Sequence, residues 1–65
     1  MDDDYKLYLV SELFYKELFG DKKESELFPS NWYGSDNYKL KAEIIMEAIR
    51  EHKLIIDTEK YKTFE

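Results

Sequence analysis

Three groups of side chains in this sequence have types and spacings that suggest chemistry or recognition. The first is Asp2-Asp3-Asp4. Three carboxylates attract a hard cation, but neighbours on a helix point in different directions and a cation needs several converging oxygens. Their place ahead of an apolar run suits helix capping instead. The second is His52, the single histidine, which falls at the margin of an apolar helix face near its C-terminus and reads as a cap or core-edge residue. The third is Glu43, Glu47 and Glu51, spaced i, i+4, i+8 on the outer face of a helix with neighbours about 5–6 Å apart. Such a row could imitate a phosphate backbone in the basic groove of a nucleic-acid-binding protein. Lys39 and Arg50 share that face and dilute the row, so a plain solvated face is the favoured reading.

None of these groups is a catalytic signature. The sequence has no Gly-rich phosphate loop, no Ser or Cys nucleophile motif, no His-x-x-x-His and no calcium-loop spacing. Without cysteine and with one histidine, it supplies neither a disulfide nor a zinc site of its own. The expectation is a non-enzymatic chain with no catalytic, cofactor-binding or metal-binding residue.

The elements that position these residues must come from a small supply. Sixty-five residues form one domain, 1–65, close to the lower limit for a self-sufficient core. The net charge of −5 argues against direct binding of nucleic acid and favours a protein partner with a basic surface. No apolar run approaches the ~20 residues needed to cross a bilayer, and the acidic start at Met1 is the opposite of a secretory signal. Both point to a cytoplasmic protein that does not engage a membrane. Lys, Ile, Tyr, Phe, Asn and Met far outnumber Gly, Ala, Arg and Pro, a bias typical of AT-rich genomes such as those of low-GC bacteria and their phages.

Periodicity predicts an all-α fold of two main antiparallel helices, an aromatic-rich connector and a short C-terminal helix. The first helix runs from about Asp3 to Phe19, with Gly20 as a left-handed stop; a strand over Tyr5–Val10 is the rival reading. Gly20 to Ser35 is the connector, with one helical turn around Ser25–Phe28, and Leu27, Phe28, Trp32 and Tyr33 folding back as a lid. The second helix starts at a Ser35 or Asp36 cap, covers Asn37 to His52 or Lys53, and centres its apolar face on Tyr38, Ala42, Ile45, Ile49 and His52. Leu54–Ile56 either extends the chain or continues this helix. Asp57-Thr58-Glu59 then caps a final turn or two through Tyr61 and Phe64.

The first helix has more apolar surface than one partner helix can cover. Leu7, Val10, Phe14 and Leu18 make one face, Leu9 and Leu13 a second, and Tyr8, Tyr15 and Phe19 a third. Either the connector aromatics and the C-terminal segment wrap the remainder, or an exposed aromatic stripe docks on a partner or a second copy, which is the favoured reading. Six tyrosines among eleven aromatic residues favour an interface, because tyrosine combines rigid contact area with a hydroxyl that tolerates water. The predicted partner-binding set is therefore Tyr8, Tyr15, Phe19, Trp32 and Tyr33, with Glu43, Glu47 and Glu51 as acidic contributors. The function expected is a small acidic protein-binding module, of the kind phages and mobile elements use to inhibit or modulate a host protein by steric blocking. A DNA-mimic inhibitor and a structural or regulatory homo-oligomer, with a homodimer built on the first helix, are the alternatives.

Overall fold

The structure is a computed structural model that describes residues 2–64; Met1 and Glu65, the outermost positions of the expected 1–65 domain and the first residue of the presumed non-secretory start, lie outside it. It is all-helical among these residues. Helix α1 spans Asp3–Leu18, a single turn α2 spans Glu24–Leu27, and α3 spans Tyr38–Glu51; two 3-10 turns, Ile55–Asp57 and Lys60–Thr63, close the chain. Tyr5–Val10 lies within α1, so the strand reading is excluded.

Local chemistry explains the ends. The Asp2 carboxylate accepts the Asp4 N–H at 3.0 Å, satisfying one free donor of the first turn. At α3 the cap is Asn37, whose side-chain oxygen accepts the Leu40 N–H, while Ser35 Oγ accepts the Asn37 N–H. The left-handed stop falls at His52, with φ 55°, and at neither glycine. His52 N–H reaches the Ala48 and Ile49 carbonyls there, ending α3 as a C-cap does. Leu54 is extended, but Ile55–Asp57 winds into a 3-10 turn, so this segment is neither a strand nor more of α3. Thr58 Oγ1 accepts the Tyr61 N–H and caps the last turn as expected.

Helices α1 and α3 pack against each other, but they run parallel. Tyr5 and Tyr8 of the first half of α1 meet Tyr38 at the start of α3, with ring centroids 4.7 and 5.3 Å apart. Phe19 at the end of α1 meets His52 at the end of α3, 5.2 Å apart. The connector makes this possible by running back along the pair: Phe28 packs on Tyr15 and Trp32 on Tyr8. Antiparallel packing follows from short loops, and this connector is long enough to return the chain to its starting end.

The core lies between these three layers. Trp32, with no exposed surface, sits among Tyr8, Phe28 and Phe64. Ala42, Ile44, Ile45 and Ala48 of α3 and Ile55 complete it, while Ile49 is only half-buried. The two alanines leave room on α3 for the large rings opposite.

A candidate docking surface on the first helix

Helix α1 is turned the other way round from the sequence expectation. Tyr8, Tyr15 and Phe19 are buried and belong to the core, as does Trp32. The aliphatic faces are outside: Leu7, Leu9, Val10 and Leu18 are exposed, and Leu13 and Phe14 keep 66% and 63% of their surface open. The reason is hydrogen bonding. The Tyr15 hydroxyl donates to the Leu27 carbonyl at 2.7 Å and accepts the Ile55 N–H at 3.1 Å. One buried phenol thereby ties α1 to the connector and the C-terminal segment, satisfying two backbone groups that leucine would leave unpaired. Burial pushes its pKa up, with the Ile55 contact opposing.

Tyr8 anchors the other half. Its hydroxyl donates to Glu12 Oε2 at 2.7 Å, and its pKa is raised, chiefly by burial and then by that carboxylate. Beside it lies Lys41, a buried ammonium within 4.9–5.3 Å of the Tyr8, Tyr38 and Trp32 ring centres. Its Nζ donates to the Ser35 carbonyl at 2.8 Å. Burial lowers the Lys41 pKa, against the pull of Glu12 and Asp36. Three ring faces supply cation–π attraction in place of some of the lost hydration, so this constellation is internal scaffolding.

The predicted acidic row is not a row in space. Glu47 is 4% exposed, and its two carboxylate oxygens accept the Glu59 and Lys60 N–H groups at 3.0 and 3.1 Å. It holds the C-terminal turn in place. Glu43 is half-exposed and pairs with Lys60 at 3.6 Å. Glu51 pairs with Lys53 and Arg50, and the Lys53 hydrogen bond leads in lowering its pKa. Of the expected site residues only Tyr33 remains a large exposed ring. It lines a shallow open groove of about 340 Å³ with Glu24, Ser25, Phe28 and Ser30. Burial, and then Glu24 and Glu12, raise its pKa.

What remains as a surface feature is the outer half of α1. At 100° per residue, Leu9, Leu13, Val10, Phe14, Leu7 and Leu18 follow one another around that half, interrupted by the exposed charges Lys6, Glu17 and Asp3. Neither Lys6 nor Glu17 has an ion-pair partner among the described residues. The sequence carried a signal for this arrangement. Tyr5, Tyr8, Glu12, Tyr15 and Phe19 recur at 3–4-residue spacing as regularly as the aliphatic stripe does.

No protein-family model, curated protein or solved structure matches this chain. Among the described residues, no helix is long and apolar enough to cross a membrane, and no group of three or more His, Cys, Asp or Glu is placed to hold a metal ion.

Proposed function

We propose that this chain is a small non-enzymatic protein-binding module that docks through the outward face of α1. The observation that carries this is the exposure of six apolar side chains on one half of a single helix. Their open surface is on the order of 600 Å², at the upper end of the largest apolar patch on a typical monomer, about 300–600 Å². Apolar area of that extent costs solubility and is kept where something covers it. Action on a partner is by occupancy: the helix covers part of the partner's surface and blocks what else would bind there. The face itself carries Asp3, Lys6 and Glu17, so most of the acidic surplus lies elsewhere and contributes long-range steering. The dispersed, internally paired glutamates lend no comparable support to phosphate mimicry.

The test is a paired substitution on the open face. Leu13→Ser/Phe14→Ser removes the two most exposed apolar side chains and touches none of the buried core. A tagged chain is used as bait against a low-GC bacterial lysate supplemented with untagged chain. The wild type should retain protein, and the variant should lose it while keeping its helical circular dichroism spectrum. A variant that retains the same proteins as the wild type would refute the docking face.

A further inference from the structure

The α1 face carries a charge pattern that selects its own occupant. Lys6 and Glu17 lie near the midline of the exposed half, one towards each end of the helix, and both lack an ion-pair partner among the described residues. We infer that the partner is a second copy of this chain, joined by antiparallel packing of α1 on α1 about a two-fold axis. This rests on the reading of α1 as the docking face.

The register follows from residue numbers alone. Two antiparallel copies whose midpoint falls between positions 11 and 12 set Lys6 of one against Glu17 of the other, at both ends. The same register brings Val10 and Leu13 of both copies together beside the axis, with Leu9 and Phe14 on opposite flanks of the contact. Lys6 and Glu17 meet their opposites at both ends, and Val10 and Leu13 fill the stretch between. Such a surface is self-complementary, as a two-fold interface requires. Parallel packing would set Lys6 on Lys6 and Glu17 on Glu17.

Packing helix on helix covers the residues nearest the midline on both copies, Val10 and Leu13 above all. The helix is 16 residues long, roughly 24 Å at 1.5 Å per residue, enough for two full heptads of contact. The net charge of −5 per chain opposes association at long range, but screening over about 8 Å at physiological salt confines that repulsion.

Sedimentation equilibrium of the purified chain tests the inference, with charge reversal as the probe of register. The wild type at about 100 µM should sediment at twice the 7.9 kDa chain mass. Lys6→Glu and Glu17→Lys should each weaken the dimer roughly tenfold, by turning two attractive pairs into two repulsive ones. Lys6→Glu/Glu17→Lys should return it to within about threefold of wild type. The single changes move net charge in opposite directions, so weakening by both isolates the local pair. Each also places an acid nearer the helix N-terminus or a base nearer its C-terminus, which favours the helix, and unfolding therefore cannot imitate the loss. Leu13→Ser/Phe14→Ser should be monomeric. A wild-type monomer at this concentration overturns the inference, as does a dimer indifferent to the single reversals or not restored by the double one. A monomer that still captures a different protein through Leu13 and Phe14 would refute the second copy and leave the docking face standing.

Discussion

Replacing Glu47 by Gln tests whether the middle of the acidic row is structural. In sequence it is one of three equivalent glutamates on an outer helix face, and its neutralisation should relieve repulsion. In the structure it is nearly sealed, and its two oxygens accept the Glu59 and Lys60 N–H groups. Glutamine keeps one acceptor and turns its amide donors towards the other N–H. One charge-assisted hydrogen bond is lost, at about 1.5–3 kcal/mol, and a donor is left facing a donor. Removal of a buried charge offsets part of this, leaving about 2 kcal/mol, a large share of the few kcal/mol available to a domain this size. At about 4–8 °C per kcal/mol, the melting temperature should fall by roughly 8–16 °C. Glu43→Gln, which loses only a half-exposed pair at 3.6 Å, should stay within about 0.5 kcal/mol. Thermal melts by circular dichroism give the first readout. Faster hydrogen exchange at the Glu59 and Lys60 amides gives the second. A Glu47→Gln melt within about 2 °C of wild type would refute the anchoring role.

Other perturbations separate the inside of α1 from its outside. Tyr15→Phe should cost about 1–3 kcal/mol, because the Leu27 carbonyl and the Ile55 N–H both lose their buried partner; chemical denaturation measures it. Tyr8→Ser should destabilise by at least about 2 kcal/mol, whereas Phe14→Ser should stay within about 0.5 kcal/mol; thermal melts of the two should part accordingly. Alkaline titration should destabilise the fold. Tyr8 and Tyr15 keep their protons in the folded state at pH values where unfolded tyrosine, with its pKa of 10.0, releases them. The unfolded state then binds fewer protons, and stability falls as pH rises past about 10. Lys41, with its lowered pKa, acts in the opposite direction below 10.5, so the fall shows above that value. A melting temperature that is unchanged between about pH 9 and pH 11 would contradict this, and Tyr8→Phe should flatten the fall.

Much of the architecture is legible in residue order, and the failures have physical causes. The α3 stripe Ala42, Ile45 and Ala48 stands against a charged opposite face, so its period alone orients it. Helix α1 offers two stripes of equal regularity. Hydrophobicity favours the leucines, but backbone hydrogen bonding decides for the tyrosines. That decision depends on where Leu27 and Ile55 arrive, 12 and 40 residues further along, which no local pattern contains. The direction of α3 is hidden for a similar reason. It depends on Phe28 and Trp32 leading the connector back along α1. Glu47 looks like Glu43 and Glu51 until the C-terminal turn presents two N–H groups to it. The tyrosine stripe expected to stay open is core, and the side of α1 left open is the aliphatic one.

The central claim is that the outward side of α1 is where this chain meets another. Site-specific photo-crosslinking tests it most directly, with a benzophenone side chain at position 14 and, as control, at position 39. Both positions are exposed, but only position 14 lies in the apolar face. Irradiation of purified chain mixed with bacterial lysate should give protein adducts from position 14 and none from position 39. Adducts from position 39 with position 14 silent, or silence at both, would contradict the claim.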